Sequence, residues 1–266
     1  MDGGSADHAG AVICRPPWMA GVQITQARLS AAIAGDTTSL TPATVHKDYV
    51  GPFCSRQPGP DVSPQGPAMP QTDAIRYTVS PGVGLIRPAA QCPSPNQDDR
   101  PEGAWPELIV IHGISLPPGS FGGPYIEHLF TNCIDRNAHP YFAEIADLHV
   151  SAHLLVRRDG ALIQFVPFGR RAWHAGPSSF RGRSCCNDFS IGIEMEGEDE
   201  SPYADGQYNG LAGVIAALLE AYPTLDARSI AGHCDIAPGR KTDPGPAFDW
   251  LRLYDQLSGL LRNRTP

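Results

Sequence analysis

The sequence lacks an excess of basic residues and a long apolar run, and its first residues show no signal-peptide pattern. Lys and Arg number 20 against 28 Asp and Glu, a net charge of −8. This charge disfavours nucleic acid as a partner, because phosphate binding needs a basic face. No apolar run reaches the roughly 18 residues typical of a membrane span. The first residues carry neither the basic stretch nor the apolar core of a signal peptide. We expect a cytoplasmic protein with no nucleic-acid or membrane partner, acting as a monomer.

The cysteines have no regular spacing. They number seven, which is odd, no C-x-x-C occurs, and Cys185 and Cys186 are adjacent, a geometry that rarely forms a bridge. A small secreted scaffold would show an even, regular framework. A structural zinc site would be closed by four ligands, mostly cysteines. The absence of both patterns indicates a reduced protein without such a site.

Proline is present but unevenly placed. Residues 51–106 hold 12 of the 27 prolines, and such a segment offers little periodicity and few donors for a strand ladder. We expect residues 1–72 to be a poorly ordered, Pro/Gly-rich N-terminal extension, apart from a weak helical stretch at 25–34. Residues 75–106 are predicted to form a loop-rich segment at the entry to the domain. A single domain is predicted over residues 73–266.

From Leu108 onward, strand and helix patterns alternate. Residues 108–111 are a continuous apolar run that suits a central strand, and residues 189–196 alternate between apolar and polar. Asp159-Gly160 between two apolar runs predicts a hairpin. An amphipathic helix closes the chain from Trp250. These patterns predict an α+β fold with a mixed β-sheet flanked by helices.

Two of the nine histidines stand where a site is expected. His112 ends the first apolar strand and enters a Gly/Pro-rich loop, and His233 follows a short strand in the same way. Many open α/β folds place their sites at the carboxyl ends of strands. Asp243 would complete a His/His/carboxylate set, an arrangement of catalytic zinc that leaves the fourth position to water. Taken singly, each of these residues could equally have a structural role. Asp243 alone would be interpreted as a turn residue or a helix cap. The constellation predicts Zn²⁺.

Other polar residues would complete a hydrolytic mechanism. Glu194 and Glu196 share one face of the alternating strand, and either can serve as a general base beside zinc-bound water. Both equally suit a solvent-facing strand, so the pattern leaves the choice open. Lys241 can stabilise an oxyanion, or it can be a solvated lysine. Trp173 can stack on a sugar ring, while His174 can hydrogen-bond substrate or simply pack.

Five stretches of this sequence strongly resemble the AmpD amidases. They are VIHGISLPPG at 110–119, RAWHAG at 171–176, NDFSIGIE at 187–194, GHCDIAP at 232–238 and RKTDPGP at 240–246. AmpD amidases are cytoplasmic enzymes of peptidoglycan recycling, within the type-2 amidase and peptidoglycan-recognition superfamily. The resemblance extends over about residues 75–257 and not over the first 72.

The resemblance implies a peptidoglycan-recognition/type-2 amidase-like domain and a zinc-dependent reaction. The bond cleaved would be the lactyl amide between (1,6-anhydro-)N-acetylmuramic acid and L-alanine of an anhydro-muropeptide. Matching positions imply metal ligands at His112, His233 and Asp243, and catalytic residues at Glu194 and Lys241. The match favours Glu194 over Glu196, which the strand pattern did not. The substrate contacts implied are Trp173, His174, Arg183 and Asn187.

Some positions depart from the family pattern. Gly113 stands where Asn is usual, and His149 and Cys185 stand where Arg is expected, although Arg183 is close enough to substitute for the second. These departures concern substrate contacts rather than the metal.

Two rival functions remain open. The chain can be a peptidoglycan-binding module without catalysis, or an amidase acting on polymeric cell wall. The intact ligand set and Lys241 argue against the first. The absence of a signal-peptide pattern in the first residues and the long family match over residues 115–123 lead us to expect a soluble fragment rather than the polymer as substrate.

Overall fold

The computed structural model describes residues 75–80 and 82–263. The predicted extension over residues 1–72, with its helical stretch at 25–34, lies outside them. Within the described ranges, no helix has both the length and the apolar character that crossing a membrane requires.

The described residues form short strands and five α-helices. The strands are β1 (Thr78–Ser80), β2 (Leu85–Arg87), β3 (Ala90–Gln91), β4 (Gln97–Asp98), β5 (Leu108–Ile114), β6 (Leu154–Val156), β7 (Leu162–Gln164), β8 (Arg171–Ala172), β9 (Ser179–Phe180), β10 (Arg183–Ser184), β11 (Ser190–Glu196) and β12 (Ile230–Gly232). The helices are α1 (Tyr125–Phe130), α2 (Phe142–Ile145), α3 (Asp205–Ala221), α4 (His233–Ile236) and α5 (Trp250–Arg262).

Six of these strands form one mixed sheet in the order β12-β5-β11-β6-β7-β3. The first four are mutually parallel, β6 and β7 are antiparallel, and β3 runs parallel to β7. The β6–β7 pair is the hairpin predicted from Asp159-Gly160. Gly160 has φ +86°, and a Cβ there would press against the backbone of Gly206, so the turn needs glycine.

Helices cover both faces of the sheet. On one face, Ile193 of β11 and Leu154 of β6 belong to one core cluster with side chains of α3 and α5. The next residue of β6, Leu155, points to the opposite face and packs with α1 and α2. Neighbouring side chains of a strand alternate between faces, so a strand in the middle of this sheet is buried on both. The predicted α+β fold, a mixed sheet flanked by helices, is confirmed.

Residues 75–106 do more than lead into the domain. Their strand β3 extends the main sheet and β4 pairs with β8. The Asn96 amide is buried and donates to the Val150 carbonyl at 2.8 Å. Strands of two or three residues are too short to carry a periodic signal, so the sequence indicated only loop here.

Candidate active site

Parallel strands bring the three candidate ligands together. Ile111 of β5 pairs with Gly232 of β12, so the histidines that follow them emerge side by side. The Nδ1 atoms of His112 and His233 lie 2.9 Å apart. Asp243 Oδ2 lies 3.2 Å from the first and 3.1 Å from the second. Within the described ranges, these three side chains are the group of His, Cys, Asp and Glu able to hold a metal ion.

The triangle formed by His112 Nδ1, His233 Nδ1 and Asp243 Oδ2 has dimensions that suit a zinc ion. A tetrahedral zinc ion with ligands at about 2.0–2.1 Å has ligand–ligand edges of roughly 3.3–3.4 Å, within a few tenths of an ångström of the sides observed. Two imidazole nitrogens and a carboxylate oxygen are an ordinary catalytic zinc donor set. The loop bearing Asp243 is held to α4 because the Asp243 carbonyl accepts the Cys234 N–H at 2.9 Å.

The protonation states also suit a cation. Burial lowers the pKa of His112 to about 4, and the neighbouring Asp243 offsets this only in part. Burial opposes ionisation of Asp243, but contact with His112 and His233 holds the pKa of this carboxyl well below its usual range. A neutral imidazole beside a carboxylate is the state in which these groups bind metal.

The two glutamates of β11 have different surroundings. Glu194 lies opposite His112 in the parallel register and is 8% exposed. Its Oε2 has no hydrogen-bond partner. Burial raises the pKa of Glu194 well above its usual range, and the charge of Asp243 adds to this rise.

Glu196 is fully engaged elsewhere. Its Oε1 accepts from Arg157 at 2.8 Å and from the Gly122 N–H at 2.6 Å, and its Oε2 accepts from the Arg158 N–H at 3.1 Å. Its side chain therefore ties the loop before α1 to the β6–β7 hairpin. Both glutamates are buried, so the solvent-facing reading of this strand is wrong. The unpaired carboxylate beside the triangle is Glu194.

Lys241 is exposed on the same loop as Asp243. Within the described residues, its ammonium makes no hydrogen bond or ion pair. Its positive charge lowers the pKa of both His112 and Glu194. The charge therefore acts on the site while remaining free to meet a substrate.

The predicted substrate contacts differ in their surroundings and in their hydrogen-bond partners. Trp173 is half-buried and its indole N–H donates to Asp98 at 3.1 Å, while Arg171 holds the same carboxylate through two bonds of 2.6 Å. Asp98 was missed by sequence reasoning, because β4 is only two residues long. Asn187 Oδ1 accepts the N–H groups of His174 and Ala175 at 3.1 and 2.8 Å. Asn187 thus braces the loop beside the triangle.

Arg183 is not brought to the triangle. Its guanidinium pairs with Glu107 at 2.9 Å and lies 3.9 Å from the centre of the Phe189 ring. Glu107 precedes His112 by five residues, roughly 16 Å along an extended strand. Arg183 therefore stands at the opposite end of β5 from the ligands. Although Arg183 is close to Cys185 in the sequence, its guanidinium does not lie at the metal site. It therefore does not substitute there for the arginine expected at position 185.

Gly113 has a packing explanation. A Cβ at this position would overlap the Tyr203 hydroxyl, which donates to the Pro244 carbonyl at 3.0 Å beside Asp243. Any side chain at 113 would have to displace Tyr203.

The fold and this site define a class of protein. The N-acetylmuramoyl-L-alanine amidase family matches residues 102–246, and the chain belongs to that family of enzymes. Within the family it is an AmpD-type amidase, as the five motifs predicted.

Individual relatives show the same likeness. The chain is 60% identical over 170 residues to the 1,6-anhydro-N-acetylmuramyl-L-alanine amidase AmpD of Escherichia coli (strain K12), a match that covers 64% of this chain and 92% of the relative. The AmpD of Haemophilus influenzae is 50% identical over 174 residues, covering 65% and 95%. A crystal structure of a selenomethionine derivative of AmpD superposes with a TM-score of 0.64 at 59% identity, covering 65% of this chain and 97% of that one.

Proposed function

We propose that this protein is a zinc-dependent cytoplasmic amidase of peptidoglycan recycling. Its substrate would be an anhydro-muropeptide, cleaved at the lactyl amide between 1,6-anhydro-N-acetylmuramic acid and L-alanine. The observation that carries the proposal is the triangle of His112, His233 and Asp243 beside the unpaired carboxylate of Glu194. The 60% identity to an enzyme named for this substrate supports the choice of bond.

The residues divide the work of hydrolysis between them. His112, His233 and Asp243 would hold the zinc ion, which when bound supplies an activated water and a Lewis acid. Glu194 takes a proton from the attacking water and passes it to the leaving amide nitrogen. Burial raises its pKa, and a more basic carboxylate takes up a proton from water more readily.

Two further side chains would meet the substrate. The free ammonium of Lys241 stabilises the negative charge that develops on the amide oxygen, an effect worth roughly 3–4 kcal/mol by analogy with a lost oxyanion donor. The Trp173 ring, held by Asp98, offers a face for the sugar. Neither contact requires Arg183.

Substrate size separates the proposal from its rivals. We expect the full-length protein to release peptide from anhydro-muramyl-tripeptide, to lose this activity on chelation and to regain it with zinc. Intact sacculi should be turned over at least roughly tenfold more slowly in kcat/KM. Equal turnover of sacculi would support the polymer-directed amidase. Tight binding of the muropeptide without release of peptide, in protein with full zinc, would support the binding module.

We also propose that residues 73–266 are the amidase domain and that the residues before Thr72 are dispensable. All candidate site residues lie between His112 and Asp243, and the buried core of the described residues begins at Tyr77. A chain that begins at Thr72 should match the full-length protein in thermal midpoint within a few degrees and in kcat/KM within roughly threefold. A larger fall in the midpoint, or a roughly tenfold loss in kcat/KM, would show that the extension packs on the domain.

A further inference from the structure

A chain of hydrogen bonds leads from His112 away from the triangle. His112 Nε2 lies 2.9 Å from His174 Nδ1, and His174 Nε2 lies 3.0 Å from Ser190 Oγ. The Ser190 hydroxyl in turn lies 2.6 Å from the Cys186 carbonyl oxygen. Four groups on three separate segments are therefore connected in one line that ends at a main-chain carbonyl.

The carbonyl at the end sets the direction of every bond in the line. A carbonyl only accepts, so the single hydroxyl hydrogen of Ser190 points to Cys186, and Ser190 Oγ can only accept from His174. A neutral His174 that carries its proton on Nε2 has a lone pair on Nδ1, and this accepts the Nε2–H of His112. His112 then presents an unprotonated Nδ1 to the triangle, as a metal ligand must.

We propose that His174 and Ser190 are positioning residues that fix His112 in its metal-binding tautomer. His174 was predicted as a substrate contact, but both its ring nitrogens are engaged within the protein. Space for the ring is provided by Gly192, where a Cβ would overlap the imidazole. The orientation of the ring is therefore set by packing as well as by hydrogen bonds.

The other histidine ligand is set in a simpler way. His233 Nε2 lies 3.1 Å from the Ala175 carbonyl oxygen, so its N–H points there and its Nδ1 is also left unprotonated. Ala175 is next to His174, and Asn187 braces the N–H groups of both. One short loop therefore holds the outer partner of each histidine ligand. The partner of His112 is a side chain, so it can be removed by mutation.

This role of His174 and Ser190 rests on the proposed zinc site. Two measurements on the full-length protein distinguish a failure of this role from a failure of the proposed function. Zinc affinity is measured by chelator competition without substrate, and histidine tautomers are read from long-range ¹H–¹⁵N spectra of the metal-free protein. Ser190→Ala and His174→Phe should each weaken zinc about 10–100-fold, the usual cost of losing an outer partner of a ligand. In both variants His112 should become a mixture of tautomers. His174→Gln, whose amide both accepts and donates, should recover part of the affinity.

Ser178→Ala is the matched control, because the Ser178 hydroxyl oxygen accepts the Cys186 N–H at 3.2 Å but lies outside the line of bonds. It should keep the wild-type zinc affinity and the wild-type His112 tautomer. The proposal is overturned if Ser190→Ala and His174→Phe bind zinc within roughly threefold of wild type. It is also overturned if they lose affinity while His112 keeps a single Nε2–H tautomer, since the loss would then be structural. If the wild type binds no zinc, the proposed function fails, and the tautomers of the metal-free protein still decide the role of His174 and Ser190.

Discussion

Replacing His112, His233 or Asp243 with alanine should abolish amide hydrolysis and leave the chain without stoichiometric zinc. Three protein ligands leave no spare, and each contributes one corner of a triangle with sides of 2.9–3.2 Å. Two remaining ligands cannot hold the ion at a fixed position, and the pKa of its water would no longer be controlled.

Metal analysis and thermal unfolding would check this prediction together. Zinc should raise the thermal midpoint of the wild type, because a ligand that binds only the folded state stabilises it by mass action. The three variants should lose most of that zinc-dependent rise. His139→Ala, at an exposed histidine outside the site, should retain both the rise and the activity. Any ligand variant with full zinc and normal turnover would remove its residue from the metal site.

Glu194→Ala should retain zinc and lose about 10²–10⁴ in kcat, the usual effect of removing a general acid–base residue. Glu194→Gln should lose a comparable amount, because the amide keeps the shape of the side chain but cannot take up the proton. The unpartnered Oε2 has no structural bond to lose, so we expect both variants to fold with a thermal midpoint near that of the wild type.

Glu196→Ala provides the comparison on the same face of the same strand. Its loss should affect stability rather than chemistry, because it leaves the Arg157 guanidinium short of one carboxylate partner. Breaking a buried ion pair costs about 3–5 kcal/mol, which a fall in thermal midpoint would report, while kcat of the folded fraction should change little. A larger loss in kcat for Glu196→Ala than for Glu194→Ala, at equal folded fraction and zinc content, would reverse the assignment.

The sequence alone determined the main strands and the family. The apolar run of β5, the alternation along β11 and the Asp-Gly turn between β6 and β7 are local signals, because backbone period and turn chemistry depend on neighbouring residues. The five motifs are also contiguous, so the resemblance to AmpD amidases could be recognised without coordinates.

The tertiary structure decided what each polar side chain meets. Glu194 and Glu196 point the same way from one strand, and the family match favours Glu194 without giving a physical reason. The reason lies in the contacts of Glu196 with Arg157 and Gly122, which come from distant segments. The contact of His174 with His112 and the distance of Arg183 from the triangle likewise depend on pairing between segments far apart in the chain. A strand pattern specifies the face on which a side chain lies, but not its partners, because those partners come from remote parts of the sequence.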